Sequence, residues 1–243
     1  MEKRIAAFFD IDGTLYREGL ITEVFKKMVT HEIIASQKWT DDVQPAFMKW
    51  DRRQGEYDTY LSKMVEIFKE TTIGISKEHI ELIARRVVEQ KGERVYLFTR
   101  NELEKHRKAG HLVIAVSGSP LELVAEMAKK HHFDDYRGTV YQTDQNGAYT
   151  GVITPMWDSH SKEQAIESLA QKYNLDLSEC YAYGDTNGDL TMFRHTGHPC
   201  AVNPTRELLT HIKREPELLE KVKIVVERKD VIYNIDLNNT KLL

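Results

Sequence analysis

The sequence predicts an α/β protein: a parallel sheet with helices on both faces, interrupted after its first strand by a small helical bundle. Three observations predict it. Ile5–Phe9 is a short apolar run that ends in Asp10-Ile-Asp-Gly-Thr14, the pattern of a buried strand entering a glycine turn. Residues 16–91 then carry helical periodicity almost throughout. From residue 92 onward, strand-like and helix-like segments alternate, which is the signature of a parallel sheet covered on both sides.

Within the insert, Ile21, Val24, Phe25, Met28, Val29 and Ile33 mark one helix face, and Tyr57, Tyr60, Leu61, Met64, Val65 and Phe68 mark a second. Ile80, Ile83, Ala84, Val87 and Val88 mark a third, with Ser76 in position to cap it. A shorter helix through Phe47 and Trp50 is expected after Pro45, and Trp39, Phe47 and Trp50 read as the bundle's own core. Beyond the insert, Thr99-x-x-Glu102 reads as a capping box for a helix ending near Ala109. Leu112–Val116 is a second buried strand. It runs into Ser117-Gly-Ser-Pro120, where Ser119-x-x-Glu122 and Pro120 signal the next helix. Thr139–Thr143 and Tyr149–Ile153 flank Asn146-Gly147, a hairpin signal. Ser161-x-x-Gln164 opens a helix through Lys172, and Cys180–Tyr183 is a strand leading into Gly184-Asp-Thr-Asn-Gly-Asp189. Further strands are expected at Pro199–Val202 and Lys223–Val226, around a helix near Thr205–Lys213.

Composition narrows the function classes. The 243 residues are 41% hydrophobic and 30% charged, ordinary for a folded globular chain. With 34 basic against 38 acidic side chains, the net charge of −4 argues against nucleic acid as a partner. No apolar run exceeds five residues, so neither a membrane span nor a signal-peptide core is expected. Cys180 and Cys200 stand in apolar surroundings without metal-ligand spacing. They read as reduced core thiols, which points to the cytoplasm.

Ligands of such sheets bind beyond the carboxyl ends of the strands. There the sequence places Asp10 and Asp12, then Ser117 and Gly118, then Asp185 and Asp189. Carboxylates crowded into one crevice repel each other by roughly 4 kcal/mol per pair at 4 Å and an effective dielectric near 20. A hard cation resolves that repulsion. An all-oxygen donor set without Cys or His favours Mg²⁺. A calcium loop at Asp185 is excluded, because its glycine falls at position four and Thr196 occupies position twelve. His131, His132 and His160 read as ordinary surface or packing histidines.

This ordered set resembles the haloacid dehalogenase superfamily, and within it the subfamily IB branch that contains phosphoserine phosphatase. The resemblance implies a Rossmann-like catalytic core at residues 1–15 and 92–243, with a helical cap of the C1 type at 16–91. It also implies a Mg²⁺-dependent phosphomonoester hydrolase working through an aspartyl-phosphate. Asp10 stands at the nucleophile position and Asp12 at the acid/base position, with Asp10, Asp12 (through its carbonyl) and Asp185 around the metal. Ser117, Gly118 and Lys162 stand where the phosphate is held, and Asp189 assists the acidic motif. The chain departs from the branch at Gly188, where asparagine is usual and where Asn187 comes one residue early.

The implied partner is a small phosphorylated metabolite, and here the cap departs further. The branch places a glutamate that reads the substrate amine where this chain has Gly19, with Glu18 one residue early. The arginine that reads the carboxylate falls near Ser62 or Lys63. Phosphoserine therefore stays open beside a phosphorylated alcohol, an amino alcohol such as histidinol phosphate, or a sugar. Arg52, Arg53, Tyr57 and Lys63 are candidates to meet the leaving group, although each also reads as a solvated helix face. Transfer of the phosphoryl group to an alcohol instead of water, and a non-catalytic metal-binding regulator, are the competing functions.

Overall fold

The computed structural model describes residues 3–55 and 57–241, with the side chains of Tyr57 and Asp58 outside that description. Eight strands form one sheet: β1 (Ala6–Phe9), β2 (Leu112–Pro120), β3 (Asp135–Thr143), β4 (Tyr149–Thr154), β5 (Tyr181–Gly184), β6 (His198–Val202), β7 (Lys223–Arg228) and β8 (Val231–Asn234). Their order is β4-β3-β2-β1-β5-β6-β7-β8. The six inner strands are parallel, and β4 and β8 close the two edges antiparallel, so the sheet is mixed. Strand β8 was not expected. Val231, Ile232 and Tyr233 are all exposed, and the turn before it uses Lys229 at φ 56° where a glycine would have signalled it.

The insert contains α1 (Leu20–Thr30), a short π-helix (Lys38–Val43), α2 (Gln44–Asp51), α3 (Tyr57–Thr72) and α4 (Lys77–Lys91). The chain enters and leaves it side by side: Arg17 N–H donates to the Arg94 carbonyl at 3.0 Å, and Tyr96 N–H to that of Leu15 at 2.9 Å. Around the sheet lie α5 (Leu97–Lys108), α6 (Leu121–Lys130), α7 (Ser159–Tyr173), α8 (Leu190–His195), α9 (Arg206–Arg214) and α10 (Pro216–Lys221). Strand alternation sorts the core into two layers. Ala7, Phe9, Val113, Ala115 and Tyr183 pack toward α5, α6 and the insert. Ala6, Phe8, Ile114 and Ala182 pack toward α7, α8 and α9. Trp39, Phe47 and Trp50, read from the sequence as the insert's own core, are only partly buried and pack against the first of these layers. Among the described residues no helix is long and apolar enough to cross a membrane.

Three helix starts differ from the sequence expectation. Thr99 lies inside α5, its hydroxyl donating to the Thr14 carbonyl at 3.0 Å; the amides opening that helix are held instead by Glu227, at 3.1 Å from Leu97 and 2.8 Å from Phe98. Ser119 does not cap α6. Helix α7 is capped by Asp158, which accepts from Ser161 N–H at 2.8 Å. Ser76 stands at the N-cap of α4 without a side-chain bond. Both cysteines are buried free thiols, and Cys180 Sγ accepts from Ala6 N–H at 3.2 Å.

Behind the first strand a buried histidine couples α5 to β5. His106 Nε2 meets the Tyr183 hydroxyl at 2.8 Å, that hydroxyl donates to Glu102 at 2.9 Å, and His106 Nδ1 faces His111 Nδ1 at 2.9 Å. Because the Tyr183 hydroxyl donates to Glu102, the chain of donors places a proton on His106 Nε2. Burial pushes its pKa down from 6.5 to about 4, assisted by His111 and Lys105 and opposed by Glu102. The unfolded chain protonates this histidine first, so stability is complete above about pH 6.5 and is lost as pH falls toward 4. We expect about 2 kcal/mol from this group, allowing for partial hydration. Urea midpoints at pH 7.5 and 4.5 check it: the drop should shrink in His106→Gln, and an unchanged drop would count against this reading.

Candidate active site

The turn after β1 builds the first part of the site. The Ile11 carbonyl accepts from Thr14, Leu15 and Tyr16, so the chain doubles back immediately beyond the strand. Gly13 is required there. Its φ is +80°, and a Cβ would lie 2.1 Å from an Asp185 carboxylate oxygen. Asp10 and Asp12 therefore do not share one extended strand face; the turn sends their side chains to different partners.

Asp10 Oδ1 accepts from Lys162 Nζ at 2.9 Å, and the same ammonium donates to Asp189 Oδ1 at 2.6 Å. Lys162 is 3% exposed, Asp10 6% and Asp189 0%. Asp189 Oδ2 accepts from the amides of Asp185 and Thr186, both at 3.0 Å, which folds the Gly184–Asp189 loop around that carboxylate. Asp185 Oδ1 accepts from the Thr14 hydroxyl at 3.1 Å. One oxygen each from Asp10, Asp185 and Asp189 lies within 4.8 Å of the others.

Asp12 stands apart. Its Oδ1 accepts from Leu20 N–H at 2.7 Å, at the start of α1, and its Oδ2 accepts from the Ser119 hydroxyl at 2.5 Å. Its side chain is thus committed elsewhere, and the carboxylate completing the trio is that of Asp189. Ser117 is fully buried, with its Oγ accepting from Ser119 N–H at 3.2 Å. Ser117–Ser119 lie where the β2–β3 register shifts, between Val116↔Arg137 and Pro120↔Thr139. The segment bulges out of the ladder there, and the Gly118 carbonyl is tied to Thr139 Oγ1 at 2.7 Å.

Electrostatics follow from burial and crowding. Burial raises Asp10 to about 7; Asp189 and Asp12 add to the rise, and Lys162 opposes it. Burial, Asp10 and Asp189 hold Asp185 well above the usual carboxylate range. Burial raises Asp12 against the bonds from Ser119 and Leu20. Burial alone would lower Lys162, but Asp10 and Asp189 outweigh it and the net shift is upward. One ammonium does not balance three carboxylates. The residual charge, the all-oxygen donors and their spacing fit a hard divalent cation, whose ligands at 2.0–2.6 Å lie at most about 5 Å apart.

Sequence reasoning missed several contributors. Thr14 and Ser119 hold Asp185 and Asp12, and Trp157, itself 42% exposed, packs its backbone over Gly118 and Gly188. That contact explains the displaced asparagine, because a Cβ on Gly188 would lie 2.6 Å from the Trp157 carbonyl oxygen. His160 is exposed and pairs with Gln164; His131 bonds the Gly92 carbonyl; His132 is exposed. Lys63 does not turn toward the site: it is exposed and paired with Glu66 at 2.9 Å. Glu18 is paired with Arg94 at 2.8 Å. Arg52 and Arg53 are exposed on the loop after α2, and the Tyr57 side chain lies outside the described residues.

A family model described as haloacid dehalogenase-like hydrolase matches residues 7–194. The chain belongs to that family. Its relatives include the "Inhibition of morphological differentiation protein" of Streptomyces azureus, 28% identical over 84% of this chain and 74% of that protein. They also include the phosphoserine phosphatase of Methanocaldococcus jannaschii, 22% identical over 95% of each chain. A structure of a substrate-bound phosphoserine phosphatase superposes with a TM-score of 0.60 at 18% identity, over 95% of this chain and 96% of that one. The hydrolase family implied by the motifs is the family found, and the phosphoserine phosphatase branch is present among both relatives and folds.

Proposed function

We propose that this haloacid dehalogenase-like hydrolase cleaves a small phosphomonoester by way of an aspartyl-phosphate on Asp10, with residues 16–91 acting as a cap over the leaving group. The observation that carries the reading is the division of labour between Asp10 and Asp12. Asp10 is held by Lys162 beside two further carboxylates, whereas Asp12 is held by Leu20 N–H and Ser119 at the foot of the cap. Asp10 Oδ then attacks phosphorus, and Asp12 donates a proton to the departing alkoxide oxygen. In the second displacement Asp12 takes a proton from the attacking water. Ser117, the Gly118 amide and Lys162 hold the phosphoryl oxygens. Bound Mg²⁺, held by Asp10, Asp185 and the Asp12 carbonyl with Asp189 assisting, would offset the repulsion between nucleophile and phosphate dianion. The buried free thiols Cys180 and Cys200 suit a reducing compartment such as the cytoplasm.

Release of p-nitrophenol from p-nitrophenyl phosphate tests the reading. Turnover should vanish in EDTA and return with Mg²⁺. Full activity in metal-free buffer would overturn the assignment of the carboxylate trio.

A further inference from the structure

Residues 16–91 are joined to the sheet by two linkers, and one buried carboxylate holds both. Glu227 lies on β7, outside the residues 7–194 that the family model matches. Its side chain is 3% exposed. Its Oε1 accepts from Leu97 N–H at 3.1 Å and from the Arg17 guanidinium at 3.4 Å, and its Oε2 accepts from Phe98 N–H at 2.8 Å. Its own amide donates to Asn203 Oδ1 at 2.8 Å, which fixes the backbone behind the carboxylate. Leu97 and Phe98 open α5, where the chain re-enters the core, and the amides of a helix start need an acceptor. Capping alone does not call for Arg17, which lies on the outgoing linker.

Arg17 ties the two linkers together. Its amide donates to the Arg94 carbonyl at 3.0 Å and its Nε to the Val95 carbonyl at 3.0 Å. Tyr16 and Val95 pair as an antiparallel bridge, and Tyr96 N–H donates to the Leu15 carbonyl at 2.9 Å. A buried carboxylate keeps such partners in place, because losing one leaves charge uncompensated. Both linkers and β7 therefore form one knot. Three residues beyond Arg17, Leu20 N–H donates to Asp12 Oδ1 at 2.7 Å. Among the described residues no hydrogen bond or ion pair joins Glu227 to Asp12 directly, so the path between them runs through Arg17 and that amide.

Resting on the phosphatase reading above, we infer that Glu227 is a positioning residue for departure of the leaving group: through Arg17 it sets where α1 begins, and so where the Leu20 amide holds the Asp12 carboxyl. Loosening the knot moves the amide that orients Asp12. It leaves Asp10, Lys162, Asp185 and Asp189 held by one another and by Thr14. The loss then falls on protonation of the departing oxygen. An alkoxide needs that proton, whereas p-nitrophenolate is a weak base and departs without it.

The experiment measures kcat/KM, which reports the steps through release of the alcohol, on the Mg²⁺-loaded protein. The substrates are p-nitrophenyl phosphate and the fastest alkyl ester among ethyl phosphate, glycerol 1-phosphate, O-phosphoethanolamine and L-O-phosphoserine. Asp12→Asn is the reference, and should lower the alkyl ester at least tenfold more than the aryl ester. Glu227→Gln should show the same split at about fivefold, with the aryl ester within threefold of the parent. Arg17→Gln breaks the other end of the link and should show it too; Arg17 is 47% exposed, so this second variant keeps the fold. Ile224→Ala, buried on the same strand in the opposite core layer, controls for plain destabilisation: its melting temperature should fall while both esters change alike. A split missing from either folded variant, or one equally present in Ile224→Ala, would overturn the inference. A missing split in Asp12→Asn would instead show that the acid is assigned wrongly in the phosphatase reading itself.

Discussion

Asp10→Asn is expected to abolish turnover while leaving the protein at least as stable as the parent in metal-free buffer. Asparagine keeps the shape and an oxygen for Lys162 Nζ, which now lies 2.9 Å from Asp10 Oδ1. It removes the proposed nucleophile, and losses on removing a covalent nucleophile run to 10⁴-fold or more. The stability claim follows from charge. Asp10, Asp185 and Asp189 approach within 4.8 Å and share one ammonium. Each carboxylate pair at such a distance costs about 3–4 kcal/mol at an effective dielectric near 20, partly offset by lost attraction to the lysine. A melting temperature unchanged or several degrees higher without metal is the expected result. Added Mg²⁺ should raise the parent more than the variant, because the variant lacks one donor. Phosphate release and thermal melts with and without Mg²⁺ measure both halves. Residual activity above about one per cent would mean that the nucleophile lies elsewhere.

Much of this site was legible because its residues stand at strand ends, where glycine and aspartate interrupt apolar runs. Asp10 and Asp185 lie far apart in sequence, but they follow the neighbouring strands β1 and β5, and α7 brings Lys162 to the same crevice. Local patterns failed where tertiary partners recruited the same side chains. Thr99 and Ser119 both fit a capping pattern, yet their hydroxyls go to the Thr14 carbonyl and to Asp12. No local signal separates these uses, because a hydroxyl donates to whatever the fold presents. Strand β8 escaped because its apolar side chains face solvent and its turn lacks glycine. The helical insert was the hardest part to read. A one-residue shift on a helix rotates a side chain by about 100°, so aligning Lys63 with a substrate contact had no geometric support.

Lys162→Met is expected to destabilise the protein strongly, in contrast to the same change at Lys63. Methionine fills much of the lysine's volume, so the main loss is charge. Lys162 is 3% exposed between Asp10 at 2.9 Å and Asp189 at 2.6 Å. Removing one partner of a buried ion pair costs about 3–5 kcal/mol, because the other charges remain buried without compensation. At roughly 2–4 °C per kcal/mol for a chain of this size, the melting temperature should fall by about 10 °C. The sign of the pH dependence is fixed by the carboxylates left behind. Burial already holds Asp10 up at about 7 and Asp185 well above the usual carboxylate range, and without the lysine these two bind protons still more readily in the fold than in the unfolded chain. A folded pKa above the unfolded one adds stability at low pH that is lost as pH rises, so the deficit should be larger at pH 8 than at pH 5.5. Lys63 is 51% exposed and its Glu66 partner 55% exposed, so Lys63→Met should shift the melt by no more than about 2 °C. Adding Asp189→Asn to Lys162→Met should recover part of the loss by removing one uncompensated charge. Thermal melts of the four proteins at both pH values decide it. A Lys162→Met protein as stable as the parent at pH 8 would show that this ammonium is not the counter-charge of the trio.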